Sequence, residues 1–370
     1  MTSNPSNKRP RPNSDVQQAP SKPPAPIVFR KPGEAVDTLL SALGQDYHVH
    51  SSILKLHSNY FRKFLDSPDK SGKPASPQFR YHYVTVIDRD DAKAWFLESS
   101  EKGTPATADQ LAGLTDKNQQ SDAFSDLLKA MYHRPFKIHS YSHLEAMSTI
   151  ADIYCALPVL STALSGALLG SRLFEKNQYL GGSRDCTSEF LRKEHEIIFI
   201  AKRLRNADLF RECLIVIAGK WLFEDGIEPW HTKYKAVAND PKLLKLIQRE
   251  SENITRKMAK VDHEILLLVL RIGWRPNAEF GSREPDLAMG TPEPSEPSFY
   301  YNVKARLDHP EGDSDFEVLE FELDKILENN LVFDRTHDRP GDYQGVFNNA
   351  LLCARIQDED LPWCLSEVDW

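Results

Sequence analysis

Hydrophobic and polar residues follow a clear pattern on both sides of position 50. Tyr47 and Val49 alternate with two histidines, which is typical of a strand with one apolar face. The apolar residues that follow recur at helical spacings of three and four. They are Ile53, Leu54, Leu56, Phe61, Phe64 and Leu65. Ser58 precedes the second apolar cluster, where its hydroxyl can accept a backbone hydrogen bond. The pattern predicts a strand, a short helix and a second helix that begins after Ser58.

Further strands are predicted before and after this stretch. Residues 36–43 alternate in the strand sense, and a turn at residues 44–46 folds the next strand back as a hairpin. Residues 79–87, FRYHYVTVI, alternate aromatic and β-branched side chains, which favour strands. A charged turn and the apolar trio at residues 95–97 predict a second hairpin. Residues 98–120 carry little pattern and are interpreted as an inserted loop.

The chain then becomes helical. Asp122 can cap a helix with four apolar residues on one face. Ser142 and Glu145 have the spacing of a capping box, in which two side chains satisfy two backbone N–H groups at the start of a helix. That helix is expected to bury Tyr154. Pro158 ends it and is predicted to lie in the first turn of the next helix.

The second half of the chain predicts helices and a linker. Asp240, followed by a proline, marks the start of one helix, and residues 261–272 form another. Residues 284–297 are acidic and proline-rich, which is typical of an extended linker. The segment FEVLEFELDKIL at residues 316–327 fits both the helix and the strand pattern, so its type stays open. Two tryptophans near the end, Trp363 and Trp370, indicate that the tail packs against another part of the chain.

These patterns predict an α+β fold, in which a small sheet flanked by helices precedes an all-α extension and a mixed C-terminal segment. The expected organisation is a disordered tail at 1–31, an α+β domain at 32–171 with an inserted loop at 98–120, a helical region at 172–276, a Pro/Glu-rich linker at 277–298, and a C-terminal segment of uncertain structure at 299–370.

The composition of the chain limits which partners it is expected to bind and in which cellular compartment it is expected. The net charge of −8 argues against a general nucleic-acid binder. The longest apolar run, residues 265–270, is far shorter than the roughly 20 residues that span a bilayer. Five cysteines form no CxxC pair and no secretory leader precedes them, which predicts reduced thiols in the cytoplasm or nucleus. Residues 8–11, KRPR, fit a nuclear import signal, although a solvated tail is the favoured interpretation.

Catalytic chemistry is not predicted. The chain contains no P-loop, GxGxxG, GxSxG or HExxH motif. His48, His50 and His57 could be imagined as a metal site, but no thiolate accompanies them, and a structural role is favoured. Cys155 lies among apolar residues, where a lone thiol is usually a small core residue. We therefore expect no enzyme activity, no metal and no cofactor. An enzyme of unrecognised type, with acidic catalysts in residues 299–370, is the alternative from another class.

The order of these segments resembles the BTB (POZ) domain family. That family carries a strand ending in a histidine, a short helix with a buried leucine, and a Ser-x-x-Phe helix start, which are matched here by His50, Leu54, Ser58 and Phe61. The first strand opens with an aspartate, here Asp37. The segments FSDLLKAMY and IADIYCALPVLSTAL resemble the family's later helices, so the resemblance covers roughly residues 32–171.

The resemblance implies a set of residues and a function. The structural and interaction core of the BTB-like unit would comprise Asp37, His50, Leu54, Ser58, Phe61, Phe64 and Tyr154. BTB domains form homodimers or heterodimers and dock other proteins, so the expected partners are a second copy, other BTB proteins or another protein chain, with no nucleic acid and no membrane. The signature AD-x-Tyr-Cys-Ala-Leu-Pro is also similar to a group of fungal BTB-containing proteins.

Two departures from the family pattern narrow this expectation. Members that recruit co-repressors carry a basic residue after the histidine, which is a charge partner for the aspartate. Ser51 stands there in this chain, so Asp37 is expected to lack that partner. Members that bind cullins often carry a hydrophobic-x-Glu motif after the second helix, whereas residues 67–78 hold no glutamate. A substrate adaptor of a cullin-RING ubiquitin ligase is the alternative function, and the absence of the usual cullin-binding motif weakens it.

Overall fold

Two groups of residues make most of their contacts internally. The computed structural model describes residues 24–67, 74–88, 94–175, 188–221, 233–272, 297–307, 316–333 and 350–367. The first unit comprises Met1–Ser51 and Ser71–Thr115, and the second comprises Ser52–Lys70 and Asp116–Trp370. The predictions for the tail before residue 24, for most of the linker and for Trp370 lie outside the described residues.

The first unit contains a mixed sheet of five strands in the order β1-β3-β2-β4-β5. The strands are β1 (Ile27–Val28), β2 (Thr38–Ala42), β3 (Gln45–Val49), β4 (Tyr81–Ile87) and β5 (Trp95–Ser99). β2 pairs antiparallel with β3 and parallel with β4, while β1 runs parallel to β3 and β5 antiparallel to β4. Both predicted hairpins are therefore present in one sheet.

The β2–β3 hairpin closes through a two-residue turn. Ala42 pairs with Gln45 across it. Leu43 and Gly44 between them have φ angles of 54° and 88°, and two positive φ angles give a turn that matches the right-handed twist of paired strands. The backbone N–H of Leu43 donates to Thr85 Oγ1 at 2.8 Å, which ties the turn to β4.

The boundary predicted for the disordered tail is wrong. The tail was expected to reach residue 31, yet Ile27–Val28 forms β1, and the N–H of Phe29 donates to the carbonyl of His48 at 2.9 Å. Phe29 is only 1% exposed. Two strand residues followed by one buried ring are too short for a periodic pattern, so the alternation of residues did not reveal them.

Helices make up most of the second unit. In the described parts of the chain they are α1 (Ser51–His57), α2 (Asn59–Leu65), α3 (Ala108–Ala112), α4 (Lys117–Met131), α5 (Tyr141–Ile153), α6 (Leu157–Leu168), α7 (Glu189–Arg203), α8 (Ala207–Lys220), α9 (Lys235–Ala238), α10 (Pro241–Ile272), α11 (Pro297–Leu307) and α12 (Glu317–Ile326), of which α3 belongs to the first unit. Together with the sheet they confirm the predicted α+β fold class.

The segment interpreted as a loop at 98–120 contains regular structure. β5 extends to Ser99, and α3 begins after Thr107, whose N–H and hydroxyl form a capping box with Gln110. α4 begins at Lys117, so Asp122 lies inside the helix and does not cap it. Its predicted apolar face is nevertheless correct, because Phe124, Leu127, Leu128 and Met131 are all buried.

The capping box predicted at Ser142 is wrong. The cap of α5 is Ser140, whose hydroxyl accepts the N–H of His143 at 3.2 Å. Glu145 instead accepts a hydrogen bond from the Tyr141 hydroxyl at 2.9 Å. A serine two residues earlier satisfies the same helix end, and the spacing of residue types does not distinguish the two.

Two predicted helix starts are confirmed. Pro158 lies in the first turn of α6, and the leucines at 160, 164 and 168 are buried along one face. Asp240 caps α10, with Oδ1 accepting the N–H groups of Lys242 at 3.1 Å and Leu243 at 3.2 Å.

α10 is one helix of 32 residues, where two were predicted. The middle of the helix is polar, which suggested a break. Buried apolar residues nevertheless continue through it at spacings of seven, seven, four and three. They are Ile247, Ile254, Val261, Ile265 and Leu268.

The C-terminal segment packs on these helices. The segment at 317–326, left open between helix and strand, is the helix α12, which buries Leu319, Leu323 and Ile326. α11 begins at Pro297, inside the linker predicted to end at residue 298. Residues 350–354 are all buried. The chain passes so close to α8 that a Cβ on Gly219 would lie 2.2 Å from the carbonyl oxygen of Leu351.

Candidate interaction site

Ser58 joins the start of α2 to the end of α5. Its hydroxyl accepts the N–H of Phe61 at 3.1 Å and donates to the carbonyl of Tyr154 at 2.6 Å. The predicted N-cap is therefore confirmed. Ser58 is 1% exposed, so both bonds are shielded from water, and losing the hydroxyl would leave two buried backbone groups without a partner.

An aromatic cluster surrounds Tyr154. The ring of Phe61 stacks on it, with centroids 5.5 Å apart and planes 2° apart. The rings of Phe124 and Tyr60 approach it edge-on at 5.7 Å and 5.2 Å. Phe61 and Tyr154 are each 1% exposed, and Leu54 is fully buried. The structure therefore brings Ser58, Phe61 and Tyr154 together.

The Asp37 carboxylate has neutral hydrogen-bond donors in place of a charge partner. Oδ1 accepts the N–H of Ser51 at 2.7 Å, and Oδ2 accepts the Ser51 hydroxyl at 2.5 Å. The Thr38 hydroxyl also donates to Oδ1, at 3.0 Å. A carboxylate at the start of a helix satisfies N–H groups that have no partner within the helix. Asp37 therefore has a structural role at the start of α1.

His50 has a structural position between β3 and α1. It is 2% exposed, and its Nε2 lies 3.3 Å from the carbonyl oxygen of Glu34. Within the described residues, no group of three or more His, Cys, Asp or Glu side chains could hold a metal ion.

Phe64 was predicted to lie in the core, and this is wrong. Its side chain is 42% exposed, whereas Phe61 and Leu65 are each 1% exposed. Successive helical residues are rotated by about 100°, so Leu65 lies nearly in line with Phe61 and Phe64 lies to one side. Phe61 and Phe64 are three residues apart, so both fit one apolar face by spacing, and the neighbours that cover α2 decide which ring is buried.

The exposed ring of Phe64 has an aromatic neighbour. The half-buried Tyr60 lies 4.7 Å from Phe64 between ring centroids and also touches Tyr154. We call Tyr60 and Phe64 the α2 aromatic face. Ile153, the residue before Tyr154, is 44% exposed. Leu56, on α1, is 64% exposed as well, because it lies two residues beyond the buried Leu54 and therefore on the opposite side of the helix.

Basic and polar side chains border the α2 aromatic face. Lys63 Nζ lies 5.7 Å from the Phe64 ring centroid. Arg62 Nε donates to the carbonyl of Lys55 at 3.1 Å, and the Lys55 ammonium pairs with Asp66 at 2.7 Å. An apolar centre with a polar rim is the usual anatomy of a protein interface.

Cys155 is not a core residue. It is exposed and has a φ of 48°, because it follows the last turn of α5 in the left-handed conformation. Its carbonyl accepts the N–H of Asn59 at 3.3 Å, so the backbone at this position, and not the thiol, contributes to the junction with α2.

His57 and His133 form an edge-to-face pair with ring centroids 5.3 Å apart. Burial, together with the neighbouring His133, lowers the pKa of His57 below its usual range. His57 is therefore expected to be neutral near pH 7.

No helix in the described ranges combines the length and the apolar character needed to cross a membrane.

A small mixed sheet is followed by helices, and an aromatic face lies exposed beside the junction of the first two helices. Residues 28–87 match the sequence model of the BTB/POZ domain, which supports the BTB family for this part of the chain. BTB domains are protein–protein interaction modules, so protein partners are implied. Neither the curated proteins nor the solved structures contain a match to this chain.

Proposed function

We propose that this protein is a non-enzymatic interaction protein that self-associates through its BTB-like unit and docks further proteins. The observation that carries the proposal is the BTB/POZ match at residues 28–87, a segment that includes the α2 aromatic face with Phe64 exposed. Apolar side chains on a rigid framework lose little conformational freedom when a partner covers them, so they suit a docking role.

The framework under the α2 aromatic face supports this role. Phe64 and Tyr60 project from a helix whose first turn is fixed by the two hydrogen bonds of Ser58. Ile153 precedes Tyr154, whose ring packs between Tyr60, Phe61 and Phe124. The exposed residues are therefore held by a buried cluster and need not rearrange before a partner binds.

Light scattering on the purified full chain tests self-association. We expect a dimer at high micromolar concentration and at least a tenfold weaker association for Phe64→Ser. The matched control is Leu169→Ser, which removes another apolar side chain, 58% exposed, directly after α6. A strict monomer at high micromolar concentration would rule out homodimerisation. Equal weakening of self-association by both variants would show that the α2 aromatic face is not part of the interface.

The cullin adaptor is the alternative function. Residues 67–78 contain no glutamate, so the usual contact motif is absent from the sequence. Titration of the purified chain with the N-terminal domain of a cullin separates the two functions. We expect no saturable binding; a complex at micromolar concentration would favour the adaptor role instead.

A further inference from the structure

An acidic turn near the C-terminus is seated on two arginines of the helical region. Residues 358–360, Asp-Glu-Asp, form a single turn of 3-10 helix. Arg249 donates two hydrogen bonds to Asp360, each 2.7 Å long, in a bidentate pair. Arg211 pairs with Asp358 and also donates from Nε to the carbonyl of Ile356 at 3.2 Å. The guanidinium of Arg249 lowers the pKa of Asp360.

The acidic turn does not fill the surface on which it lies. Two cavities flank it, with volumes of about 530 Å³ and 480 Å³, and both are lined by Glu359 and Asp360. The first also contains Arg256, Lys257 and Lys260. The second also contains Lys242, Phe210 and Trp363. We call the two cavities and these side chains the basic groove. Each cavity is in the size range of sites that bind small ligands or a few side chains.

Cations exceed anions in the basic groove. Lys242, Arg256 and Lys260 are exposed and form no ion pair with any carboxylate in the described ranges. The Lys257 ammonium donates to the backbone carbonyls of Cys353 at 3.1 Å and Lys325 at 3.4 Å, so no carboxylate balances its charge there. On the acidic side, Glu250 pairs with Arg249 at 2.8 Å, which leaves Glu359 as the counter-charge on the rim.

The occupant of the centre of this groove is the acidic turn, which is held through the carbonyl of Ile356 and the carboxylates of Asp358 and Asp360. Trp363 follows the turn, and its ring packs against Phe210 at 5.2 Å between centroids. Residues 350–354 are buried and belong to the core. The turn at 358–360 buries no side chain and is held by its pairs with Arg211 and Arg249, whereas Leu361 is 7% exposed and Trp363 packs on Phe210. The acidic turn can therefore leave the arginines while Leu361 and Trp363 stay in place.

We propose that the basic groove binds an acidic segment of a partner protein, and that residues 358–360 occupy its centre as a competitor within the same chain. Charge complementarity selects an acidic peptide, because four unneutralised cations lie on both sides of the acidic turn. Apolar residues of the groove, Phe210 and Trp363, suit a partner segment that carries an aromatic or leucine side chain. The proposal goes beyond the BTB-like unit and does not depend on self-association.

Fluorescence anisotropy tests the groove with the full chain. The probe is a labelled synthetic peptide of residues 357–363, QDEDLPW, and the control probe carries Asn and Gln in place of its acidic residues. We expect at least tenfold tighter binding of the acidic probe to Asp358→Asn/Asp360→Asn than to wild type, because the internal competitor is released while both arginines remain. The control probe should bind neither chain.

Charge reversal in the basic groove is the second part of the experiment. In the Asp358→Asn/Asp360→Asn background, Arg256→Glu/Lys260→Glu should weaken binding of the acidic probe at least tenfold. The matched control, Lys137→Glu/Arg172→Glu, reverses two exposed cations outside the groove and should leave binding unchanged. Circular dichroism checks that each chain is folded, and Asp358→Asn alone replaces the double variant if that one is not.

Three outcomes would overturn the proposal. One is equal binding of the acidic probe to wild type and to the released chain. Another is an equal loss of probe binding in Arg256→Glu/Lys260→Glu and in its control, Lys137→Glu/Arg172→Glu. The third is competition by a single-stranded oligonucleotide at lower concentration than by the peptide, which would assign the groove to nucleic acid.

Discussion

The segment that matches the BTB/POZ domain and the helices after residue 188 bury polar groups in different ways. In the first, hydrogen bonds to neutral partners cap the helices: the Ser58 hydroxyl bonds two backbone groups, and the half-buried Asp37 carboxylate accepts from the amide and hydroxyl of Ser51. In the second, Glu194 is fully buried and its Oε1 accepts from Lys220, Lys233 and the hydroxyl of Tyr234. The helical region therefore depends on buried charge where the BTB-like segment depends on capping.

A second buried carboxylate strengthens this contrast. Glu212, also 0% exposed, accepts the N–H groups of Val332 at 2.7 Å and Phe333 at 3.1 Å. These contacts join residues more than a hundred positions apart. Acid should therefore weaken the helical region before it weakens the Ser58 junction, since only the former loses a charge.

The largest effect is expected for the aromatic cluster. Phe61→Ala should lower the free energy of unfolding by about 3–5 kcal/mol and Leu54→Ala by about 2–5 kcal/mol, because each leaves a cavity in a packed core. Phe64→Ala is the control, since its ring is 42% exposed. Chemical denaturation measures all three. If Phe61→Ala unfolded at the same denaturant concentration as wild type, the buried stack on Tyr154 would be wrong.

A smaller effect, with a dependence on pH, is expected for Glu194→Gln. The substitution should cost about 2–3 kcal/mol at pH 7, because it removes the charge that three donors share. Burial acts to raise the pKa of Glu194, but Lys220 and Lys233 outweigh it and lower the pKa below the usual 4.5. This stabilisation is complete above the pKa of the unfolded chain and is lost as the pH falls through the lower folded value.

Unfolding curves of wild type and Glu194→Gln between pH 7 and pH 3 measure this difference. The two chains should converge in stability as the pH falls. A difference that stayed constant over this range would mean that Glu194 has the same pKa in the folded and the unfolded chain, and that the lysines do not stabilise its charge.

The smallest effect is expected for Ser58→Ala, about 1–2 kcal/mol, from the lost N-cap and the lost bond to the Tyr154 carbonyl. Because no charge is involved, the cost should be the same at pH 7 and pH 5. Ser125→Ala, in the middle of α4, is the control and should change thermal stability little. A cost for Ser58→Ala that grew on acidification would remove the contrast between the two regions.

Features fixed by adjacent residues were predictable from the sequence. The caps at Ser58 and Asp240 and the proline in the first turn of α6 were all predicted, because each needs only residues within one helical turn. The alternation of residues 79–87 predicted β4 for the same reason, since period two is visible within a few residues.

Features fixed by distant residues were not predictable. Arg249 and Asp360 are 111 positions apart, and no local pattern pairs them. The exposure of Phe64 depends on which side of α2 is covered, and the single helix α10 depends on neighbours that bury Ile254 within a polar stretch. The residues that pack against α2 and α10 determine these two features, and the spacing of residue types along the chain does not reveal them.

The close approach of the C-terminal segment to α8 makes Gly219 sensitive to substitution. The carbonyl oxygen of Leu351 occupies the space beside the Cα of Gly219. A single methyl group there would clash with that oxygen and push the crossing chain away from α8. Gly219→Ala would thus alter the seating of the final residues without adding or removing any charge. It offers a purely steric change to a segment that is also held by buried apolar residues and by ion pairs.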